Sequence, residues 1–522
     1  MTAADPLRTL ARGVVGVGFD GSTVGAAPFD ALRALAPGTF VLFARNAGSA
    51  GDLRDLVAAL RATSSPPPLI AVDQEGGRVE RIHDGVASLP PAMAVGAAND
   101  VALTERLGVL VGRDLARLGI TVNLAPVADL ASEPAATAVA TRAYGDEPLH
   151  VAAHAGAFAR GLERGGVAAT LKHFPGHGST DVDSHAALPR VDVAENALRA
   201  RDLVPFARAI AAREASLVLV AHVVATAFDA LRAASLSDAV TTRLLRDDLG
   251  FDGVTITDCL EMGAIAAGDG TVRAAPAALA AGADIVLISH RLDVAERVVD
   301  AIVGAVHAGT LPRARLEDAH ARVLRLRERY TQPAPYDGDV DGGAPAEAAR
   351  RAVTAVRGEA RLREGKPVTV ISFEGAAADA AAASGALAAR TSLPSLSAPL
   401  RRRGWKSENM RVALAPDDDD VTLLLQHVAA LGDREFVAVT RDAHLHPAQR
   451  DAVARLLDAA PHVTIVSARA PFDAALWPDA RRVVCIYGGG ELSMEGCADV
   501  LSGRAPARGT LPVRLARDAA VR

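Results

Sequence analysis

Residues 172–185 read KHFPGHGSTDVDSH and place a lysine, three histidines and two aspartates in fourteen positions. Glycines, a proline and small polar residues separate these groups, so the stretch is not a packed core element. Its side chains can bind a metal ion, transfer protons or bind a charged ligand. Three kinds of chemistry are therefore open to this segment.

A metal site is the less favoured of these. His173, His177 and His185, with one of the two aspartates, supply the ligand atoms that zinc binds. Their H-x₃-H-x₇-H spacing lies in a loop, however, without the helical register that makes a chelating pair. Lys172 precedes His173, and its positive charge would oppose a bound cation. We therefore expect neither a metal nor a cofactor.

Acid–base chemistry suits the segment better. Asp183 and His185 are two positions apart, so the carboxylate can hydrogen-bond to the imidazole, orient it and stabilise its charged form. A histidine held in this way is a general acid or base near neutral pH. An incidental exposed histidine is the plain alternative.

A possible nucleophile lies further along, in GVTITDCLEMGAI at 253–265. Asp258 can act as a nucleophile, or it can stabilise a cationic transition state electrostatically. Cys259 competes for the nucleophilic role. Side chains alternate between the two faces of a strand, so only one of the two faces a pocket, and no second signal supports Cys259. We favour Asp258.

Other charged groups suit a ligand that is rich in hydroxyls and amides. VDQEGGRVERI at 72–82 offers Asp73 and Arg81 around paired glycines, and ATRAYG at 140–145 offers Arg142. Lys172 and His173 lie beside the histidine-rich loop. Alternating carboxylates and cations provide both acceptors and donors for neutral polar groups. Surface ion pairs of the two arginines at 72–82 are the plain alternative.

Eight short apolar runs must position these groups. They alternate with segments of helical period and lie at 13–19, 38–44, 68–74, 119–127, 167–174, 217–223, 253–259 and 284–290. This pattern predicts an N-terminal (β/α)₈ TIM barrel over residues 1–330. Six runs end in or lead into a polar residue, namely Asp20, Asp73, Lys172-His173, His222, Asp258 and His290. Barrel enzymes build their sites at the carboxyl ends of the strands.

A second, smaller unit follows the barrel. Residues 331–352 are rich in proline, glycine and aspartate and predict a linker. Five more apolar runs, at 367–373, 411–415, 435–440, 462–467 and 481–488, predict an α/β sandwich domain over residues 353–522. In this domain YGGGEL at 487–492 predicts a tight turn before a helix, and the aspartates at 417–420 predict a helix N-terminus.

Composition excludes several classes of protein. The 522 residues are 50% hydrophobic and only 3% aromatic, so aliphatic side chains must build the cores. The net charge of −6, with both signs interspersed, argues against a nucleic-acid partner. No run approaches the roughly 18 apolar residues of a membrane helix, and the first residues lack the apolar core of a signal peptide. Three cysteines predict a reducing compartment rather than a disulfide framework. We expect a soluble, cytoplasmic protein without membrane contact.

Six segments together resemble glycoside hydrolase family 3, and most closely its β-N-acetylglucosaminidase branch. They read LFARN, AVDQEGGRVERI, NLAPVADL, LKHFPGHGSTDVDSHAALP, LVAHVVATAFD and GFDGVTITDCLEMGAI. The long loop with its D-x-H motif is specific to that branch. The C-terminal GGGELSMEGCADVLSGRAPARGTLPV is similar to the closing segment of two-domain members. Cys259 stands where many single-domain members have a second aspartate.

The resemblance implies a retaining exo-β-N-acetylglucosaminidase of cell-wall or amino-sugar turnover. Asp258 would attack the anomeric carbon, and His185, assisted by Asp183, would protonate the leaving oxygen and later activate the acceptor. The residues that would hold the N-acetylglucosamine are Asp73, Arg81, Arg142, Lys172 and His173, with His222 lining the same pocket. Water is the expected acceptor and inorganic phosphate the alternative.

Other functions stay open from the sequence. A β-N-acetylglucosaminide phosphorylase would use phosphate, and a β-glucosidase of the same family would usually take its acid/base from a carboxylate outside this loop. A non-catalytic sugar-binding protein would have lost Asp258 or His185, but both are present. A metal-dependent barrel hydrolase would be sensitive to chelators.

Overall fold

Eight parallel strands close into a barrel in the computed structural model, which describes residues 5–24, 28–134, 136, 138–180, 188–263, 265–266, 270–331, 334–375 and 394–515. The strands are Val15–Val17, Thr39–Leu42, Leu69–Val72, Val122–Asn123, Ala168–Phe174, Leu217–Val220, Val254–Cys259 and Ile285–Ile288. The eighth strand pairs with the first and closes the barrel. The barrel strands that the sequence predicts are all confirmed.

Helices cover the outside of the barrel. Up to the eighth strand they span Pro6–Gly13, Phe29–Leu35, Ala50–Arg61, Ala92–Ala98, Val101–Arg117, Pro148–Gly165, Glu195–Ala200, Val204–Ala211, Ala239–Asp248 and Gly270–Ala281, and Leu292–His307 and Arg313–Arg329 follow it. Small residues let them approach closely. A side chain on Gly161 would come within 2.4 Å of the carbonyl oxygen of Glu105 on the neighbouring helix. Such close helix packing fills the core although the chain has few bulky aromatic side chains.

The second domain is built on a six-stranded sheet. In spatial order its strands are Thr354–Arg357, Arg482–Cys485, Thr464–Ser467, Glu435–Thr440, Val368–Glu374 and Ser407–Ala413, and only the first is antiparallel to its neighbour. Its helices are Ser397–Arg402, Asp418–Leu431, Pro447–Ala459 and Glu491–Leu501. Apolar clusters lie on both faces of the sheet, as an α/β sandwich requires.

Local signals in this domain are confirmed in detail. The five predicted runs form strands, whereas the sequence analysis missed Thr354–Arg357 at the edge. Asp417 caps the helix that begins at Asp418 and accepts the N–H of Asp420 at 2.8 Å. The glycine-rich turn leads into the helix that begins at Glu491.

The segment predicted as a linker contains a helix, Ala344–Ala352. Four of its five alanines are buried, and it packs against the helices Ala92–Ala98, Val101–Arg117 and Glu491–Leu501. It therefore connects the barrel to the second domain through contacts as well as through the chain. The domain boundaries at 330 and 352 stay a prediction.

The second domain also packs against barrel loops near residue 142. Met93, Val139 and Ala143 of the barrel share one apolar cluster with Phe472 and Tyr487 of the second domain. Backbone hydrogen bonds join the same regions, with the N–H of residue 146 donating to the carbonyl of residue 512 at 3.0 Å. The barrel loop over residues 138–146 is thus held from outside by the second domain.

The three cysteines, Cys259, Cys485 and Cys497, are free. Among the described residues, no helix has both the length and the apolar character needed to span a membrane.

Candidate active site

The charged residues predicted to bind a ligand meet at the carboxyl ends of the barrel strands. Asp73 follows the third strand, Lys172 and His173 lie near the end of the fifth, and Asp258 lies near the end of the seventh. Lys172 Nζ is 2.7 Å from Asp73 Oδ1, and Arg81 Nη2 is 4.0 Å from Asp73 Oδ2. The fold therefore brings residues from distant parts of the sequence into one group.

Glu75, which the sequence analysis did not single out, joins Lys172 to Arg142. Its carboxylate accepts hydrogen bonds from Arg142 Nε at 2.8 Å and Nη2 at 2.7 Å, and it lies 2.5 Å from Lys172 Nζ. Burial alone would raise the pKa of Glu75, but these two cations hold it well below its ordinary value. Glu75 is therefore ionised and fixes both cations in place.

The same ion pair keeps Arg142 charged in a buried position. Burial alone would lower the pKa of Arg142, but the Glu75 carboxylate raises it above its ordinary value. The remaining contacts of the guanidinium are Nη1 to the carbonyl of Ala138 at 2.8 Å and Nη2 to His173 Nε2 at 3.3 Å. Within the described part of the chain, protein groups thus use four of the five N–H groups of this arginine, which leaves one for a ligand.

Asp129, also missed from the sequence, sets the tautomer of His173. Its Oδ2 lies 2.7 Å from His173 Nδ1. The guanidinium of Arg142 only donates hydrogen bonds, so His173 Nε2 must be the acceptor and Nδ1 carries the proton. Burial would raise the pKa of Asp129, but His173 and the N–H of His177, at 2.7 Å, lower it. The ionised Asp129 therefore orients His173 towards Arg142.

Asp258 is an ionised carboxylate. Its Oδ1 accepts the N–H of Cys259 at 2.8 Å. Burial alone would raise its pKa, but His222, His173, the N–H of Cys259 and Lys172 together hold the pKa below its ordinary value. At neutral pH the side chain is thus a charged group with the protonation state that a nucleophile needs.

His222 supports the backbone next to Asp258. It is fully buried, its Nε2 donates to the carbonyl of Cys259 at 3.0 Å, and its Nδ1 accepts the hydroxyl of Ser235 at 2.7 Å. Burial lowers the pKa of His222, which keeps the ring neutral. Both ring nitrogens are therefore occupied by protein groups.

A bulge changes the direction of the seventh strand beside Asp258. Ile256 pairs with Ile285, but Cys259 pairs with Leu287, so the seventh strand has one extra residue. Simple alternation of side chains therefore does not hold over this stretch, because a bulge re-aims its side chains. Cys259 Sγ lies 3.9 Å from Glu261 Oε2.

His290 completes a group on the same side as the Cys259 thiol. Its ring stacks on Phe43, with 5.9 Å between centroids and 26° between planes. Hydrogen bonds to Cys259 and Glu261 raise the pKa of His290 to about 9. His290 thus belongs to a thiol and carboxylate environment rather than to the Lys172 group.

The predicted acid–base dyad lies outside the described residues, since Asp183 and His185 fall within 181–187. The chain leading to it is well packed. Thr180 is buried, and its hydroxyl lies 2.9 Å from His177 Nδ1.

Residues 30–326 match the family model described as Glycosyl hydrolase family 3 N terminal domain, which is more than half of the chain. The chain belongs to glycosyl hydrolase family 3. As a member of this family it is a glycoside hydrolase, and its charged group lies where barrel enzymes place their active sites.

Named relatives of this family 3 chain agree with that assignment. It is 40% identical over 300 residues to a beta-hexosaminidase of Chromobacterium violaceum, which covers 56% of this chain and 83% of the relative. It is 32% identical to a solved beta-N-acetylglucosaminidase from Paenibacillus sp. str. FPU-7, with a TM-score of 0.88 over 98% of this chain and 99% of that chain. A beta-N-acetylhexosaminidase structure from Beutenbergia cavernae is also 32% identical, with a TM-score of 0.57 over 62% of this chain and 100% of that chain.

Proposed function

We propose that this glycoside hydrolase is a retaining exo-β-N-acetylglucosaminidase. The proposal rests on a charged cradle in which Glu75 and Asp129 hold Lys172, Arg142 and His173 together. The Asp258 carboxylate lies close enough to Lys172 and His173 for them to lower its pKa. Such paired donors and acceptors suit a neutral, hydroxyl-rich ring. The beta-hexosaminidase and beta-N-acetylglucosaminidase names of the relatives support N-acetylglucosamine as that ring.

In this mechanism Asp258 attacks the anomeric carbon of the bound sugar. The carboxylate forms a covalent glycosyl-enzyme through an oxocarbenium-like transition state. Its lowered pKa keeps it ionised, and the N–H of Cys259 holds one of its oxygens in place. Cys259 is a poor competitor, because its thiol contacts Glu261 instead.

His185, supported by Asp183, is the acid and base of the proposed cycle. It gives its proton to the leaving oxygen as the glycosidic bond breaks, and it becomes neutral. It then takes a proton from the acceptor as the glycosyl-enzyme is cleaved, so the cycle is balanced. This assignment rests on the spacing of the two residues in the D-x-H motif.

The charged cradle would hold the terminal sugar. Asp73 accepts hydroxyl hydrogen bonds, and Lys172 and Arg81 donate to ring substituents, since both lie beside Asp73. Arg142 contributes its remaining N–H group. His222 acts by positioning the strand rather than by touching the sugar, because both of its nitrogens bind protein groups.

Water is the acceptor that we propose. The cations Lys172, Arg81 and Arg142 are matched by the Asp73 and Glu75 carboxylates within ion-pair distance, and the Asp129 carboxylate lies near Arg142 as well. A matched set of charges provides little net attraction for a phosphate dianion. A phosphorylase is therefore the less favoured alternative, and phosphate-dependent formation of a sugar 1-phosphate would reveal it.

The test compares an aryl β-N-acetylglucosaminide with the matching aryl β-glucoside. We expect a large preference for the first, and a preference for the glucoside would contradict the substrate assignment.

Asp258→Asn should lose nearly all turnover while its circular dichroism spectrum is unchanged. A fluorosugar with a good leaving group should label a peptide at Asp258, whereas a label at Cys259 would overturn the mechanism. The roles in cell-wall or amino-sugar turnover and the cytoplasmic location stay predictions.

A further inference from the structure

Cys259, Glu261 and His290 form a compact group of metal-ligating side chains outside the sugar cradle. One ligand atom from each lies within 4.8 Å of the others. Glu261 Oε2 is 3.9 Å from Cys259 Sγ and 3.4 Å from His290 Nδ1. Cys259 and Glu261 come from the end of the seventh strand and the loop after it, and His290 follows the eighth strand.

These separations fit a tetrahedral zinc ion. With the usual zinc bond lengths, a tetrahedral site separates a thiolate sulfur from a carboxylate oxygen by about 3.6 Å and an imidazole nitrogen from that oxygen by about 3.4 Å. The structure has 3.9 Å and 3.4 Å. For these two pairs only a few tenths of an ångström of side-chain movement is needed, and the remaining pair, the Cys259 sulfur and a His290 ring nitrogen, lies within 4.8 Å.

The three side chains are held in place by other contacts. His290 stacks on Phe43, and its backbone N–H donates to Glu261 Oε2 at 2.7 Å. Cys259 is fixed by the hydrogen bonds of its backbone to Asp258 and His222. Since such contacts limit the rotamers available, little entropy is lost when a metal binds.

The surroundings give a cation access without strong repulsion. A cleft of about 380 Å³, lined in part by Glu261, Thr271 and His290, opens beside the group and can supply a water ligand. Three arginines lie nearby, and two of them have their own carboxylate at 2.7 Å, Asp20 for Arg45 and Asp293 for Arg291. The charges of these two are thus largely balanced, and Arg297 lines the cleft as the third.

We propose that Cys259, Glu261 and His290 form a zinc-binding site with an open fourth position, and that zinc bound there inhibits the glycosidase. The mixed sulfur, nitrogen and oxygen donors are those that zinc prefers. On binding, the thiol and any protonated imidazole release their protons to solvent, and water fills the fourth position.

Inhibition follows from the position of Cys259 next to Asp258. A dication bound to the Cys259 thiolate lies one residue from the nucleophilic carboxylate, in the half-buried end of the strand. Its field stabilises the negative charge of Asp258 and so lowers the tendency of that carboxylate to attack carbon. Strain at Cys259 would also disturb the N–H that holds Asp258 Oδ1. This second part of the inference rests on the proposed function, whereas zinc binding does not.

Cobalt(II) absorbance tests binding without any assay of activity. Titration of the purified chain with Co²⁺ should produce a near-ultraviolet sulfur-to-cobalt charge-transfer band, and added Zn²⁺ should remove it. The band should be lost in Cys259→Ser and weakened in Glu261→Gln and His290→Ala. It should persist in Cys485→Ser, which removes a fully buried thiol, and in His307→Ala, which removes an exposed histidine. A native protein without the band, or a band that survives in Cys259→Ser, would overturn the site.

Zinc inhibition then tests the consequence, with each variant compared with its own metal-free rate. Zn²⁺ should slow the native enzyme, and EDTA should restore its activity. Loss of the thiolate ligand should raise the zinc concentration that halves the rate by at least about tenfold, since even outer partners of metal ligands contribute 10–100-fold. Equal zinc sensitivity of the native enzyme and Cys259→Ser would overturn inhibition through this site, whatever the cobalt spectrum shows.

Discussion

Glu75 and Arg142 form a bidentate ion pair, with Nε–Oε2 and Nη2–Oε1 distances of 2.8 Å and 2.7 Å, although 67 positions separate them in the chain. The loop that carries Arg142 is also packed against the second domain through Val139 and Ala143. The pair therefore links the segment that follows the third barrel strand to a loop that two domains hold. The position of Arg142 therefore depends on contacts with both domains and not on its own loop alone.

Glu75→Gln should lower kcat/KM by about ten- to a hundredfold, because a hydrogen bond to a charged group contributes roughly 1.5–3 kcal/mol. Lys172 and Arg142 would each lose a charged partner and move within the cradle. The measurement is steady-state kinetics on an aryl β-N-acetylglucosaminide, together with urea unfolding to correct for any unfolded fraction.

Glu163→Gln is the matched control for that change. Glu163 is also a largely buried carboxylate with an arginine partner, Arg329 at 3.1 Å, but it lies at the amino ends of the fifth and sixth strands, next to Ala169 and Ser216. Its loss should reduce stability and leave the turnover of the folded enzyme unchanged. Equal losses of activity in the two variants would mean that Glu75 acts only through stability.

Much of the fold could be predicted from the sequence, because its signals are local. Each barrel strand is a short apolar run, and the helix after the aspartates at 417–420 begins where its capping residue requires. The strand Thr354–Arg357 was missed, since it is four residues long and gains its partner, Arg482–Cys485, from over a hundred positions away. Pairing of that kind leaves no periodic signal of its own.

The site was predictable only in part for the same reason. Asp73, Lys172 and His173 stand at strand ends, where the barrel architecture alone predicts function. Glu75 and Asp129 acquire their roles from contacts with Arg142 and His173 that only the folded chain creates. The local sequence of Asp129 is nevertheless suggestive in retrospect, because its acidic side chain interrupts the otherwise apolar segment LAPVADLA at 124–131.

Asp129→Asn should reduce kcat/KM by about tenfold or more, because a charge-assisted hydrogen bond to His173 is lost and the Nδ1–H tautomer is no longer enforced. Asp284→Asn is the control, since Asp284 is equally buried and binds Arg246 and Arg315 just before the eighth strand. That variant should lose stability but keep the turnover of its folded fraction. Unchanged kinetics in Asp129→Asn would show that His173 needs no such orientation.

His185→Ala should affect substrates according to their leaving groups. Poor leaving groups need protonation, so their rates should fall by about 10²–10⁴-fold, the usual contribution of a general acid. Activated aryl substrates should keep fast glycosylation and accumulate the glycosyl-enzyme, which mass spectrometry detects. Asp183→Asn should give a milder form of the same pattern. An equal loss across all leaving groups would mean that His185 binds substrate and transfers no proton.

Glu80 should make the free energy of unfolding depend on pH near neutrality. Its side chain is only 8% exposed, and Oε1 accepts the N–H of Leu89 at 2.7 Å. Burial raises the pKa of Glu80 to about 7, from 4.5 in the unfolded chain. A group with a raised pKa in the folded state contributes its full stability below the unfolded value and loses it as the pH rises through about 7.

Glu80→Gln removes this titration and keeps an oxygen for the N–H of Leu89. The variant should be more stable than the native protein at pH 8, by roughly 1–3 kcal/mol, and should have no such advantage at pH 5. His83 Nδ1, 3.9 Å from Glu80 Oε2, can offset part of the effect where it is protonated. Urea unfolding of both proteins across this pH range measures the difference, with the exposed Glu296→Gln expected to follow the native pH dependence. If the gain of Glu80→Gln is the same at pH 5 and pH 8, the carboxylate of Glu80 does not titrate in this range, and its burial does not set the pH dependence.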